Sequence, residues 1–237
     1  MDDTTGPTVG EQLLTADQRL ARTVDSLPDP AYDEPSALPG WTRGHVLAHL
    51  ALNAEALAAV LGGIAAGDVP PMYSSSEQRD TDIAELAGAG PAEIRARLMG
   101  STTGLVDAIS RVPGDRLDTL VERTTGSERS FPARAVAGMR LREVEIHHAD
   151  LDAGYTRADW PLPFATYLLE TMTARGGSDQ HVTVEPTDVG GTWQAGAAST
   201  GPVVSGTTAD LAWWLTGRGA GEGLTSSDGT LPRIEAW

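Results

Sequence analysis

The sequence predicts an α+β, multidomain protein: a four-helix bundle over residues 1–158, then a small α/β domain over residues 159–237. Two observations carry this. Four long segments before Gly154 repeat apolar residues at helical spacing, and after Tyr155 the pattern changes to short alternating runs bounded by Gly and Pro. A chain of 237 residues also has the length for one large domain or two modest ones.

Taken in order, Leu13, Leu14, Leu20, Val24 and Leu27 mark a first helix from Val9 to Leu27. A turn-rich stretch, PDPAYDEPSALPG, separates it from a long Ala/Leu-rich helix from Thr42 to Ala66, ended by Gly67 and Pro70-Pro71. PMYSSSEQRD reads as a polar loop, with helical pattern resuming from Asp80 to Leu86. Pro91, suited to a first helical turn, opens a helix to Val112 before Pro113-Gly114. LDTLVERTT is a short extended piece, and Pro132 is expected to open a helix that runs to about Ala153. Beyond it, Pro163–Ala174 is expected to be helical, and HVTVEP, GTWQAG and GPVVSG to be strands. Thr207 caps a helix whose apolar body is Ala212-Trp213-Trp214-Leu215, and LPRIEAW is expected to return as a last strand. Short loops between the four long helices point to an antiparallel bundle.

Composition removes several chemistries. The chain has no cysteine, so disulfides, thiolate ligands and a protein thiol nucleophile are excluded. All 17 basic residues are arginine, which excludes a lysine Schiff base and the usual anchoring of pyridoxal phosphate. A net charge of −16 without a basic stripe argues against nucleic acid, so an anionic substrate must be drawn in by a few arginines. No apolar run of about 18–20 residues stands out, so no membrane span is expected. The acidic start MDDTTGPTVGEQ lacks a secretory h-region, and a soluble, cytoplasmic, monomeric protein is expected.

Two helix-spaced motifs carry the functional reading. Glu143 and His147 are four residues apart, so they share a helix face with Cβ atoms about 5–6 Å apart. His49 lies on another predicted helix, and together the three offer one divalent metal an N, O, N ligand set that leaves an open position. His45 and His49 are also four apart, but such pairs are more often core or surface histidines. His148 points about 100° away from His147 and reads as a bystander. Asp150 suits either orientation of the His147 imidazole or an ordinary place near the helix end. His181 reads as structural. Arg140, one turn before Glu143, is expected to pair with it on the helix surface. Arg79 in SSSEQRD and Arg218 in GRGAGEG each suit bidentate capture of a carboxylate, against the plainer reading of a solvated loop charge. GRGAGEG is not a phosphate loop, since it follows a helix and lacks the lysine.

GWTRGHVLAHLALNAEAL, PMYSSSEQRD, MRLREVEIHHADL and GRGAGEGLTSSDG, in that order, resemble the mycothiol-dependent maleylpyruvate isomerases of actinobacteria. The first and third alone indicate only the wider DinB-like family of metal-binding bundles; the second and fourth are more specific. The resemblance implies a DinB-like four-helix bundle followed by a small, sterol-carrier-like α/β domain. It assigns zinc to His49, Glu143 and His147, and places Arg79 and Arg218 as active-site arginines that bind substrate and cofactor. It implies cis–trans isomerisation of maleylpyruvate to fumarylpyruvate, a step of gentisate breakdown, through addition of a zinc-bound mycothiol thiolate, rotation and elimination. The partners would be a small dicarboxylate substrate and a low-molecular-weight thiol. A mycothiol S-transferase acting on another electrophile, and a non-catalytic metal-binding module, are the competing readings.

Overall fold

The computed structural model describes residues 6–175, 181–196 and 200–235. Contacts divide the chain into a helical unit, Pro7–Gly154, and a second unit from Tyr155 onward.

The helical unit is built on α1 (Val9–Ser26), α2 (Arg43–Ala66), α4 (Pro91–Arg111) and α5 (Val136–Asp150), with the shorter α3 (Ser76–Gly88) between α2 and α4. Local chemistry sets the helix ends. Thr8 and Glu11 form a capping box at the start of α1, and Thr42 and His45 do the same for α2. Gly67 closes α2 at φ 91°, a left-handed value that favours glycine. α2 is the central helix, packed against α3, α4 and α5, while α1 packs against α5. Its buried positions include Val46, Leu47, Leu50, Ala54, Leu57, Val60, Leu61 and Ile64, spread around more than one face. Contrary to the expectation from sequence, α2 is long and apolar enough to cross a membrane; most of that stretch is buried inside the bundle.

Three local expectations are corrected. Helix α3 starts at Ser76, capped by the Ser75 hydroxyl, which accepts from the Gln78 amide, so Arg79 stands on a first helical turn and not in a loop. Pro132 does not open the last helix of the bundle. It ends β2 (Ser130–Pro132), which pairs antiparallel with β1 (Leu120–Glu122), and a 3-10 turn over Ala133–Ala135 intervenes before α5. β1 lies in the predicted extended piece, and its Val121 joins a buried cluster with Leu57, Leu61, Ile64, Leu105 and Val136.

The second unit contains a four-stranded sheet with order β4-β3-β5-β6, made from β3 (Val182–Pro186), β4 (Trp193–Ala195), β5 (Val203–Gly206) and β6 (Thr225–Ser226). β3 and β5 are parallel; the outer pairs are antiparallel. Helices α6 (Leu162–Thr173) and α7 (Thr208–Leu215) pack on each other and on this sheet. The third correction falls here: LPRIEAW contributes no strand over residues 231–235, with its last two residues outside the described set, and the edge strand is Thr225–Ser226 instead.

Candidate metal centre

Helices α2 and α5 are tied end to end in antiparallel fashion. Arg43, the first residue of α2, donates from Nε to the Leu151 carbonyl at 2.8 Å and from Nη2 to the Asp152 carbonyl at 2.7 Å, just past the end of α5. The Ala37 amide donates to the Asp150 carbonyl at 2.8 Å. This register puts His49, on the second turn of α2, level with Glu143 and His147 on α5.

One ligand atom from each of His49, Glu143 and His147 lies within 4.8 Å of the others. His49 Nε2 is 2.9 Å from Glu143 Oε2, and His147 Nε2 is 3.2 Å from the same oxygen. Bonds of 2.0–2.1 Å in a tetrahedral site separate ligand atoms by about 3.3 Å, so this donor set fits a small divalent cation. The three side chains are mostly enclosed, at 4%, 15% and 8% exposure for His49, Glu143 and His147. The His49 and His147 rings meet edge to face at 4.7 Å, and Trp41 lies edge-on to His49 at 5.8 Å.

The protonation states follow from these contacts. Burial opposes ionisation of Glu143, but hydrogen bonds from His147 and His49 outweigh it and hold the carboxyl well below its ordinary value. Burial lowers His49 to about 4 despite the neighbouring Glu143, so the ring is neutral at physiological pH. Burial also works against the His147 imidazolium, yet Asp150 and Glu143 together raise its pKa above the ordinary value. An ionised carboxylate beside a neutral imidazole is what a cation requires of its ligands.

Asp150 takes the orienting role. Its Oδ2 lies 2.8 Å from His147 Nδ1, with Asp150 itself 1% exposed, so Nδ1–H donates to the carboxylate and Nε2 is turned toward Glu143. Arg79 reaches the cluster from α3, its Nη2 donating to His49 Nδ1 at 3.3 Å. Arginine has no acceptor, so that ring nitrogen accepts and the ring proton sits on Nε2, facing Glu143. Arg79 Nη1 also pairs with Asp80 at 2.7 Å, while its buried Nε has no acceptor among the described residues.

The remaining histidines stand outside the cluster. His45 Nδ1 accepts from the Thr42 amide at 3.3 Å and serves the helix cap. His148 is fully buried and meets Thr23 Oγ1 at 2.8 Å through Nε2. His181 lies beside Thr183 at 3.4 Å in the second unit. Arg140 departs from expectation: it is 0% exposed instead of lying on the helix surface, and its Nη1 donates to the Leu50 carbonyl at 2.7 Å and to Asn53 Oδ1 at 3.0 Å. Asn53, Tyr73 and Trp41 were not singled out from sequence. Asn53 was the most accessible of the three, since it follows His49 by four residues on the same helix face.

Arg218 belongs to the second unit, just past the end of α7. Its guanidinium carbon lies 5.7 Å from the centroid of the Trp213 ring, which itself packs edge-on to Trp160 at 5.7 Å. The loop after it is held by Glu222, whose carboxylate accepts from the Ala220 amide at 3.1 Å. Gly219 has φ 70°, a left-handed value that favours glycine, and a Cβ there would lie 2.6 Å from Glu222 Oε2 and displace that carboxylate.

Two histidines and one glutamate, gathered from two helices of a bundle with a carboxylate beside one imidazole, form a cluster with the donor set and spacing for a metal ion. The chain belongs to the mycothiol maleylpyruvate isomerase family: the model of the family's N-terminal domain matches residues 13–152, and that of its C-terminal domain matches residues 159–236. Crystal structures of the mycothiol-dependent maleylpyruvate isomerase, and of a histidine-to-alanine variant of that protein, align with TM-score 0.86 at 29% identity over 98% of both chains. Among curated protein sequences none matches.

Proposed function

We propose that this protein isomerises maleylpyruvate to fumarylpyruvate with mycothiol as its thiol cofactor and a zinc ion held by His49, Glu143 and His147. The observation that carries the reading is the open three-donor cluster with an arginine at its edge, in a chain of this family. Bound there, the cation supplies the charge that keeps a thiol ionised, and the thiol supplies a nucleophile that adds to the conjugated double bond and later departs.

The chain's own residues do the rest. Glu143 brings the negative charge, His49 and His147 the neutral nitrogens, and Asp150 fixes the tautomer of His147 by accepting from Nδ1–H. Trp41 walls the cluster beside His49, in a setting where electrostatic interactions are stronger than in water. Arg79 binds a substrate carboxylate and steadies negative charge that spreads from the double bond toward the carbonyl. Arg79 stands within reach for this role: were His49 to hold the cation through its other ring nitrogen, Nδ1 would carry the proton and the Arg79 donors would be released to an anion. We assign Arg218 the second carboxylate, because it sits in one of the two segments that resemble the family more specifically and rests on Trp213. The reading includes a place in gentisate breakdown and a cytoplasmic setting, where a low-molecular-weight thiol is available in reduced form.

The test is a maleylpyruvate assay on zinc-loaded protein, with and without catalytic mycothiol, followed by identification of the product. Fumarylpyruvate formed with thiol unconsumed supports the isomerase. Thiol consumed in proportion to product moves the assignment to an S-transferase. No turnover and no conjugate from zinc-loaded protein leaves a non-catalytic metal module.

A further inference from the structure

Arg79 is approached from below by one aromatic ring. The Tyr73 centroid lies 5.9 Å from the Arg79 guanidinium carbon, within the range of a cation–π contact. The backbone of Tyr73 is pinned independently of that contact. Its amide donates to the Arg123 carbonyl at 3.1 Å, the preceding Met72 amide donates to the Glu122 carbonyl at 2.9 Å, and Tyr73 bridges Thr124 in parallel register. Two residues later Ser75 caps α3, whose first turn carries Arg79.

On the neighbouring helices Asn53, 3% exposed, accepts from Arg140 Nη1 at 3.0 Å. Arg140 is fully buried and also grips the Leu50 carbonyl of α2. Asn53 is one turn beyond His49, and Arg140 is one turn before Glu143. The Arg140–Asn53 bond therefore ties together the two helices that carry the candidate ligands, beside the residue that packs under Arg79.

We infer that Tyr73 is the positioning residue for Arg79: with its backbone pinned to residues 123 and 124, its ring sets where the guanidinium stands at the edge of the cluster. Asp80 does not supply this, because it is largely exposed, at 65%, and adjacent in sequence to Arg79, so its ion pair with Arg79 is screened by water. The inference rests on the isomerase reading for its kinetic readout but not for its structural one.

The experiment is a double-mutant cycle with Tyr73→Leu, Tyr73→Phe and Arg79→Ala, measuring zinc content and kinetics with maleylpyruvate and mycothiol. The 1H–15N resonance of Arg79 Nε, assigned by its loss in Arg79→Ala, is followed in parallel. Tyr73→Leu is expected to raise KM for maleylpyruvate about tenfold, the scale of a partly desolvated cation–π contact, with zinc content unchanged. Tyr73→Phe, which keeps the ring, is expected to recover most of that loss. In the Arg79→Ala background Tyr73→Leu should add nothing further. Additive losses, or an Arg79 resonance that does not move in Tyr73→Leu, overturn the inference. If the wild-type protein does not isomerise maleylpyruvate, the isomerase reading falls, and the Arg79 resonance alone decides the positioning role.

Discussion

His147 Nδ1 and Asp150 Oδ2 are 2.8 Å apart, one turn from each other at the end of α5, and Asp150 is almost wholly enclosed. The pair gives the imidazole one defined tautomer and direction, as a metal ligand needs. Asp150→Ala should therefore weaken zinc retention about 10- to 100-fold while the helices remain intact. Competition against a chromogenic chelator measures the affinity, with circular dichroism as the control for folding. Unchanged affinity would assign Asp150 to the helix end alone.

Arg79 and Arg218 should separate from the ligands in their effects. Arg79→Ala and Arg218→Ala are each expected to lower kcat/KM for maleylpyruvate by at least about 10-fold, the loss of a charge-assisted hydrogen bond to a carboxylate, with zinc content unchanged. Metal analysis beside steady-state kinetics checks both halves. Arg218→Ala with wild-type kinetics would end the second-carboxylate assignment.

Gly219 offers a route to Arg218 that leaves the guanidinium itself in place. With φ at 70° and Glu222 Oε2 2.6 Å from the position of an added Cβ, Gly219→Ala strains the backbone and displaces the Glu222 carboxylate that holds the Ala220 amide. The expected cost is about 1–2 kcal/mol, mainly that of a left-handed alanine. Thermal unfolding gives the cost, and a fall in kcat/KM that parallels Arg218→Ala would show that the loop conformation is what places the arginine.

Asp17 predicts how stability changes with pH. Burial raises its pKa to about 6, with Arg140 pulling the other way. A carboxyl whose folded pKa lies above its unfolded value of 3.8 holds more protons in the folded state. Its contribution is thus present below the unfolded value and is lost as pH rises through about 6. Asp17→Asn should remove this loss, gaining about 1–3 kcal/mol relative to wild type between pH 4 and pH 8. Denaturant titrations across that range check it; parallel pH curves for the two proteins would contradict it.

The legible parts of the fold are those set by local spacing. Leu13, Leu20 and Val24 repeat with helical period and are buried in α1, and the Thr207 cap and the Trp213-Trp214-Leu215 body led directly to α7. Glu143 and His147 were visible as a pair because four residues on a helix share a face. His49 joined them because a bundle brings facing helices together. What stayed hidden depends on long-range pairing or on departures from the usual cost of burial. The Ser75 cap lay in a serine-rich run that reads as loop, so Arg79 was not placed on a helix. β2 ends on a proline, and its partner strand lies across the TTGSER turn, which no periodicity marks. The surface reading of Arg140 follows from the rarity of a buried guanidinium, and partners distant in sequence make its burial tolerable: the Leu50 carbonyl and Asn53 on α2 and the charge of Asp17 on α1.

The most direct test of the metal centre is the absorption spectrum of the cobalt(II)-substituted protein before and after mycothiol is added. About one cobalt per chain with the bands of a four- or five-coordinate ion is expected, followed by a sulfur-to-cobalt charge-transfer band with mycothiol, and Glu143→Gln should lose both. A cobalt spectrum that mycothiol leaves unchanged, or cobalt retained by Glu143→Gln with full affinity, would contradict an open His49–Glu143–His147 centre.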